Sequence, residues 1–367
     1  MSNTSNATIA PTINSNELIN ESIRQINTAK IALISLALIL SATGVFIITF
    51  TIIKIKRLLN FTNVLVLNLC WSSLLLAITG LVNALSDINA GFQTWQFGDF
   101  ACRFIKSMFF MVSVVIAYTL VAVSYARFRI ICQPFRPPPE RHYAYFVIAA
   151  VWIVGVACGI PYFLSLHVIQ LRGSPFCSFN TVPPALNLDQ RKGYLIGLTI
   201  VIFAIPFLLQ AALNISIATA MSTGKPKIFI DPKDDKIAGV KRQLTLMSIA
   251  LVIIFFVTWL PYYILILLQT FGHISLLQFQ GDVVLYYQNV RIFLLIRDLL
   301  SGLIYCSSIF NVGILYIFNP HFKAALKRAL YCSTPHRRAR VESEVTITER
   351  SMSVVSSMMA GKIDMKY

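Results

Sequence analysis

The chain has 367 residues, of which 56% are hydrophobic and only 13% charged, and its mean hydropathy is +0.70. A soluble domain must carry charge on its surface, so this balance excludes one and points to a protein whose outer face is solvated by lipid. The formal charge of +16 does not mark a nucleic-acid partner, because Lys and Arg gather in short loops between apolar runs and form no basic face.

Residues 1–29 read as a polar tail, expected to be disordered, with no basic-then-apolar signal peptide. The tail carries Asn-X-Ser/Thr sequons at Asn3, Asn6 and Asn20, which suit glycosylation on the luminal side. Further sequons at Asn60 and Asn214 fall in an inner loop and within a span, where they are expected to stay silent. The first apolar run, Ile31 to Ile53, ends on Lys54, Lys56 and Arg57. The second, Phe61 to Leu85, holds Asn63, Asn68, Ser72 and Ser73 on neighbouring turns, polar groups that face other helices and not lipid. A short outer loop with Trp95, Phe97 and Gly98 leads to the third run, which opens at Cys102 and closes on Arg127 and Phe128. Its apolar part, Phe104 to Val123, is long enough to span a bilayer as a helix.

The next loop, counted from the end of the apolar part, carries Arg127, Arg129, Arg136 and Arg141 and the stiff run Pro137-Pro138-Pro139. Span four is Tyr143 to Leu166, with Trp152 and Pro161 inside it, and an outer loop from His167 to Lys192 contains Cys177. Span five, Gly193 to Met221, includes Pro206 and is followed by Lys225, Lys227, Lys233, Lys236, Lys241 and Arg242. Span six, Leu244 to Phe271, contains Phe255, Trp259 and Pro261. The connector from Gly272 to Asn289 is unusually apolar for a loop and is compatible with a helical turn. Span seven, Val290 to Phe318, stops at Asn319-Pro320, and His321 to Tyr331 then reads as an amphipathic helix lying on the membrane. Cys332 beside it suits palmitoylation, and residues 333–367 form a Ser- and Thr-rich tail.

Dense Lys and Arg follow spans one, three and five, so the positive-inside rule puts the N-terminus outside and the C-terminus inside. Of the seven cysteines, only Cys102 and Cys177 fall at span ends on the outer side, where disulfides persist. The expected organisation is an extracellular tail over 1–29, a membrane domain over 30–332 with a surface helix over about 319–331, and a cytoplasmic tail over 333–367. The fold class is an all-α membrane protein, a seven-transmembrane-helix bundle with a short amphipathic eighth helix.

Over about Lys30 to Cys332 the chain resembles the rhodopsin-like (class A) G-protein-coupled receptors. The resemblance rests on Asn63 and Leu69, Trp95 with Phe97 and Gly98, Cys102, Arg127, Trp152, Cys177, Pro206, the string Phe255-Val-Thr-Trp259-Leu-Pro261, Asn311, and Phe318-Asn-Pro-His-Phe322 in their proper order. It implies an extracellular ligand, a heterotrimeric G protein at the inner face, arrestin and receptor kinases acting on the tail, and the lipid bilayer as surroundings. Arg127, Phe255, Trp259, Pro261, Asn311 and Tyr316 are the residues it implies for activation and coupling. The chain departs from the family pattern at Ser73, where an aspartate is usual, at Ile116 in place of a serine, and at Ala126, where an acid precedes the arginine. Asn311-Val312-Gly-Ile-Leu315 replaces Asn-Pro-x-x-Tyr, with Tyr316 one residue late, and Asn214 stands for a tyrosine. Loss of the span-two carboxylate predicts no sodium site. Loss of the acid at Ala126 removes a restraint on Arg127 and predicts raised basal activity; a signalling-dead scaffold or decoy is the competing reading.

The span-seven lysine needed for retinal is missing, and the aspartate that anchors amines in related receptors aligns with Phe109. From Cys102, helical spacing places Lys106, Phe109, Phe110 and Ser113 on the inward stripe of span three. Trp259, Tyr262 and Tyr263 in span six, with Arg297, Ser301 and Tyr305 in span seven, complete the expected pocket. Arg297 has an alternative in pairing with Asp298, and the aromatic residues have one in helix packing. The basic excess at the outer end favours a peptide or another ligand with an anionic group. No cofactor or metal is expected. An enzyme is disfavoured because no phosphate loop, HExxH or GxSxG motif occurs, and a transporter because the halves show no repeat.

Overall fold

The computed structural model describes residues 15–54, 59–86, 94–133, 139–171, 173–179, 188–222, 232–271 and 283–318. The helices are α1 (Ser15–Lys54), α2 (Phe61–Leu85), α3 (Gly98–Cys132), α4 (Arg141–Ser165), α5 (Leu188–Thr199), α6 (Ile205–Ser222), α7 (Pro232–Thr270) and α8 (Val283–Phe318). Helices α5 and α6 are joined by a π-helical turn, Ile200–Ala204, into one span. Seven stretches of the described chain are long and apolar enough to cross a membrane, from Arg24–Ile53 to Ile292–Phe318.

Span three is the hub. Of its most apolar window 78% is buried, against 11% for span four. Span four therefore gives most of its surface to lipid, with Phe146 and Ile153 among its exposed side chains. The contact between these two spans is made close by glycine. A Cβ at Gly155 would lie 2.7 Å from the Met111 carbonyl oxygen, and one at Gly159 would overlap the Met111 side chain. Asn68 ties three spans together: its Nδ2 donates to Thr119 Oγ1 at 2.9 Å, and its Oδ1 accepts from Trp152 Nε1 at 3.1 Å. With no water at that depth, each of these polar groups needs such a partner.

Local chemistry sets several boundaries. Asn60 caps α2, its side chain accepting the Asn63 N–H at 2.9 Å. The π turn ends where Ile205 donates to the Ile200 carbonyl, just before Pro206, which has no N–H to give. The extra residue in that turn changes which side chains of the outer half of span five face the bundle.

Four expectations are revised. The segment expected to be a disordered tail is helical from Ser15, supported by Arg24 Nη2 donating to Glu21 Oε1 at 3.0 Å one turn away. The loop after span four begins as an antiparallel hairpin, β1 (Leu166–Leu171) and β2 (Ser174–Phe179), with Val168 opposite Cys177. Gly173 makes its turn at φ 79°. Span seven is helical from Val283, so the end of the apolar connector is part of α8. Helix α3 continues past Arg127 to Cys132, which buries that arginine within the bundle. Asn3, Asn6, the surface helix over 319–331 and Cys332 lie outside the described residues, and Asn20 lies in α1 with its side chain outside them.

Candidate functional site

Cys102 and Cys177 form a disulfide that pins β2 to the outer end of span three. Beneath the hairpin the helices enclose a cavity of about 510 Å³ that opens at this end of the bundle. Leu166, Ile169, Phe176, Cys177 and Ser178 form its roof.

Phe109 is the centre of the floor. Its ring stacks over Trp259 at 6.3 Å and meets Phe110, Tyr262 and Tyr305 edge-on at 5.2, 5.5 and 5.9 Å. Such offset and T-shaped contacts are the favoured aromatic geometries. Below the floor Phe255 packs on Trp259 at 4.8 Å, and Trp259 stacks on Tyr263 at 6.3 Å. A chain of rings thus runs from the cavity toward the inner half of span six.

Of the residues expected in the pocket, Lys106, Phe109, Phe110, Tyr262, Arg297, Ser301 and Tyr305 line the cavity. Ser113, Trp259 and Tyr263 do not. Ser113 lies one turn deeper and donates to the Phe109 carbonyl, while the Phe109 ring screens Trp259. Lys30, Asn83, Tyr162, Arg191 and Gln269 also line the cavity. Lys30 sits one turn above Ile34, which faces the same cavity; that i, i+4 spacing was the available signal.

Cations dominate the described lining residues: Lys30, Lys106, Arg191 and Arg297 against the single carboxylate of Asp298. Lys106 Nζ lies 5.5 Å from the centre of the Trp95 ring, a cation–π distance. On the opposite wall Arg297 donates through Nε and Nη2 to Asp298 Oδ1 at 3.3 and 3.1 Å. Lys30 Nζ stands 3.9 Å from the other Asp298 oxygen. Tyr305 accepts a long hydrogen bond from Asn83 Nδ2 at 3.5 Å. The arrangement holds positive charge around an aromatic floor, suited to an anionic group on an otherwise apolar or aromatic molecule.

The inner end is built differently. Arg127 is 6% exposed and Ala126 is buried beside it. Arg127 forms no ion pair among the described residues, and its Nε has no hydrogen-bond partner there. Asn311 Nδ2 donates to Ser73 Oγ at 2.9 Å, a neutral link between spans two and seven, with Ile116 buried on span three. Leu315 is fully buried, whereas Tyr316 is half-buried. Pro261 falls inside α7, two residues beyond Trp259.

A bundle of seven membrane-spanning helices, with a disulfide-held hairpin over an outer cavity and a buried arginine at the opposite end, defines the seven-span receptor class. The family model for the 7 transmembrane receptor (rhodopsin family) matches residues 44–311, and the chain belongs to that family, the class A G-protein-coupled receptors. It is 24% identical to the substance-P receptor of Aquarana catesbeiana over 85% of this chain and 78% of that one. To neuropeptide FF receptor 2 of Rattus norvegicus it is 25% identical over 79% of this chain and 69% of that one. With galanin receptor 2a of Danio rerio the identity is 26% over 66% of this chain and 62% of that one.

Proposed function

We propose that the protein is a plasma-membrane receptor with its N-terminus outside, which binds an extracellular peptide or other anionic ligand in the cavity and activates a heterotrimeric G protein. The observation that carries the ligand class is the cationic rim of Lys30, Lys106, Arg191 and Arg297 around the Phe109 floor. The relatives named for substance P, neuropeptide FF and galanin favour a peptide. A C-terminal carboxylate is the anionic group a peptide always has available unless it is amidated. Occupancy shifts the population toward a conformer in which the inner half of span six swings about Pro261 and uncovers Arg127. The Ser and Thr of the tail are then substrates for receptor kinases and docking points for arrestin, Cys332 is palmitoylated, and Asn3, Asn6 and Asn20 carry glycans.

Screening short peptides in matched free-acid and amidated forms, with a promiscuous G-protein readout, tests the ligand class. The free-acid form of a hit is expected to be at least about tenfold more potent, one charge-assisted hydrogen bond's worth. Lys106→Ala is expected to abolish that difference. Equal potency of the two forms, unaffected by Lys106→Ala, removes the anionic-ligand reading.

The Ser73–Asn311 link carries no formal charge, and a monovalent cation buried there would lack a carboxylate. Replacing sodium with N-methylglucamine at constant chloride is therefore expected to leave agonist affinity unchanged. A rise in affinity on removing sodium would place a cation site in the bundle after all.

A further inference from the structure

The two strands of the hairpin are fastened to span three by different chemistry. Strand β2 is held covalently through Cys177. Strand β1 is held by a polar cluster: Asp99 Oδ1 accepts the Val168 N–H at 2.8 Å, and Asp99 Oδ2 lies 2.6 Å from Arg103 Nη2. The same Arg103 Nη2 lies 2.6 Å from His167 Nδ1. A guanidinium only donates, so Nδ1 must be the acceptor and His167 must be neutral in this arrangement. His167 Nδ1 is also 3.5 Å from Asp99 Oδ1, the atom that holds Val168.

We propose that His167 is a proton-operated latch on the hairpin that roofs the cavity. A proton added at Nδ1 abolishes the acceptor that Arg103 uses and places a second cation against the guanidinium. The new N–H turns to Asp99 Oδ1 and competes there with the Val168 amide. The Val168 amide then shares Asp99 Oδ1 with a charged imidazole while Arg103 keeps Oδ2, so the backbone bond that holds β1 weakens while the disulfide keeps β2 in place. The side chains of His167, Asp99 and Arg103 are 30%, 44% and 25% exposed, so the proton arrives from the outer solvent.

Among the described residues, the titratable and charged groups of the packed elements are few. Span three supplies Asp99, Arg103 and, one turn deeper over Trp95, Lys106. Span four supplies Tyr162, packed against the buried Trp95, Cys102 and Leu166. Strand β2 supplies none, Cys177 being in the disulfide. The latch is closed while His167 Nδ1 accepts from Arg103 and opens when it takes a proton from the acidified outer solvent. Because Leu166 and Ile169 of β1 line the cavity, opening reshapes the site. That consequence rests on the receptor reading, whereas the latch does not.

The Val168 amide reports the latch directly. Its exchange protection in the full-length protein in lipid discs is to be measured by valine-labelled NMR at about pH 7.5 and about pH 5.5, normalised to intrinsic exchange. Wild-type protection is expected to fall about fivefold on acidification, the loss of one hydrogen bond. In His167→Gln the amide oxygen keeps the acceptor for Arg103 and does not titrate, so protection is expected to be equal at both pH values. In His167→Phe, with no N–H to compete at Asp99, it is expected to be high at both. Wild-type protection independent of pH overturns the proposal, as does an equal pH-dependent fall in either variant.

Discussion

Cys177→Ser is expected to destabilise the folded receptor by about 4 kcal/mol and to remove most of it from the cell surface. The bridge joins residues 75 apart in sequence, and the entropy of closing a loop of that length corresponds to roughly 4 kcal/mol. The bridge also holds the roof. Cys102 is buried with Trp95 and Leu166 in the small outer cluster, and Cys177 packs against it. Without the covalent tie, β2 would depend on its pairing with β1 and on the backbone bond from Trp95 N–H to the Pro175 carbonyl at 2.7 Å. Thermal unfolding in detergent and surface immunostaining measure the two effects. A melting temperature equal to wild type would mean that the hairpin is held by other contacts and that the disulfide is dispensable.

Gly80→Ala is expected to cost stability at the cavity floor. A Cβ at Gly80 would overlap the ring of Tyr305, and that ring is fixed from three sides by Phe109 at 5.9 Å, Asn83 at 3.5 Å and its own helix. Overpacking a filled site costs about 1–3 kcal/mol. Spans two and seven would have to separate or the tyrosine would have to enter the cavity. The double variant Gly80→Ala with Tyr305→Ala relieves the clash, so its loss of stability should be smaller than the sum of the two single losses. A double-mutant cycle on melting temperatures tests this. Simple additivity would show that the close approach of spans two and seven at Gly80 is wrong.

The spans were legible in the sequence because apolar runs of membrane length are unambiguous. The disulfide was legible because only Cys102 and Cys177 fall at outer span ends. Lys106, Phe109 and Phe110 were legible because one helical stripe follows from Cys102. The hairpin was not, since Leu-His-Val-Ile-Gln-Leu alternates too briefly to stand out from a loop. The outward extension of α1 was hidden by its Asn and Ser, which favour turns unless local pairs such as Glu21 with Arg24 support the helix. Trp259 and Tyr263 lie on the expected helix, but Trp259 is screened by the Phe109 ring above it and Tyr263 turns toward span five, its ring 6.0 Å from Phe203. Arg191 belongs to the basic excess at the outer end. That it faces the cavity depends on how span five packs, and the π turn below it changes that face in a way no spacing rule records.

The inner end of the bundle centres on Arg127. It is buried beside Ala126 where the family has an acid, and it forms no ion pair among the described residues. The inactive conformer is short of one electrostatic restraint, so the active conformer is expected to be populated without ligand. The deciding measurement is ligand-free nucleotide exchange on purified heterotrimeric G proteins by the receptor in lipid discs, for wild type, Ala126→Asp and Arg127→Ala. Exchange above the receptor-free rate in wild type, reduced by Ala126→Asp and abolished by Arg127→Ala, is the expected result. Wild-type exchange at the receptor-free rate across all G-protein classes, or a rate unchanged by Arg127→Ala, would contradict it.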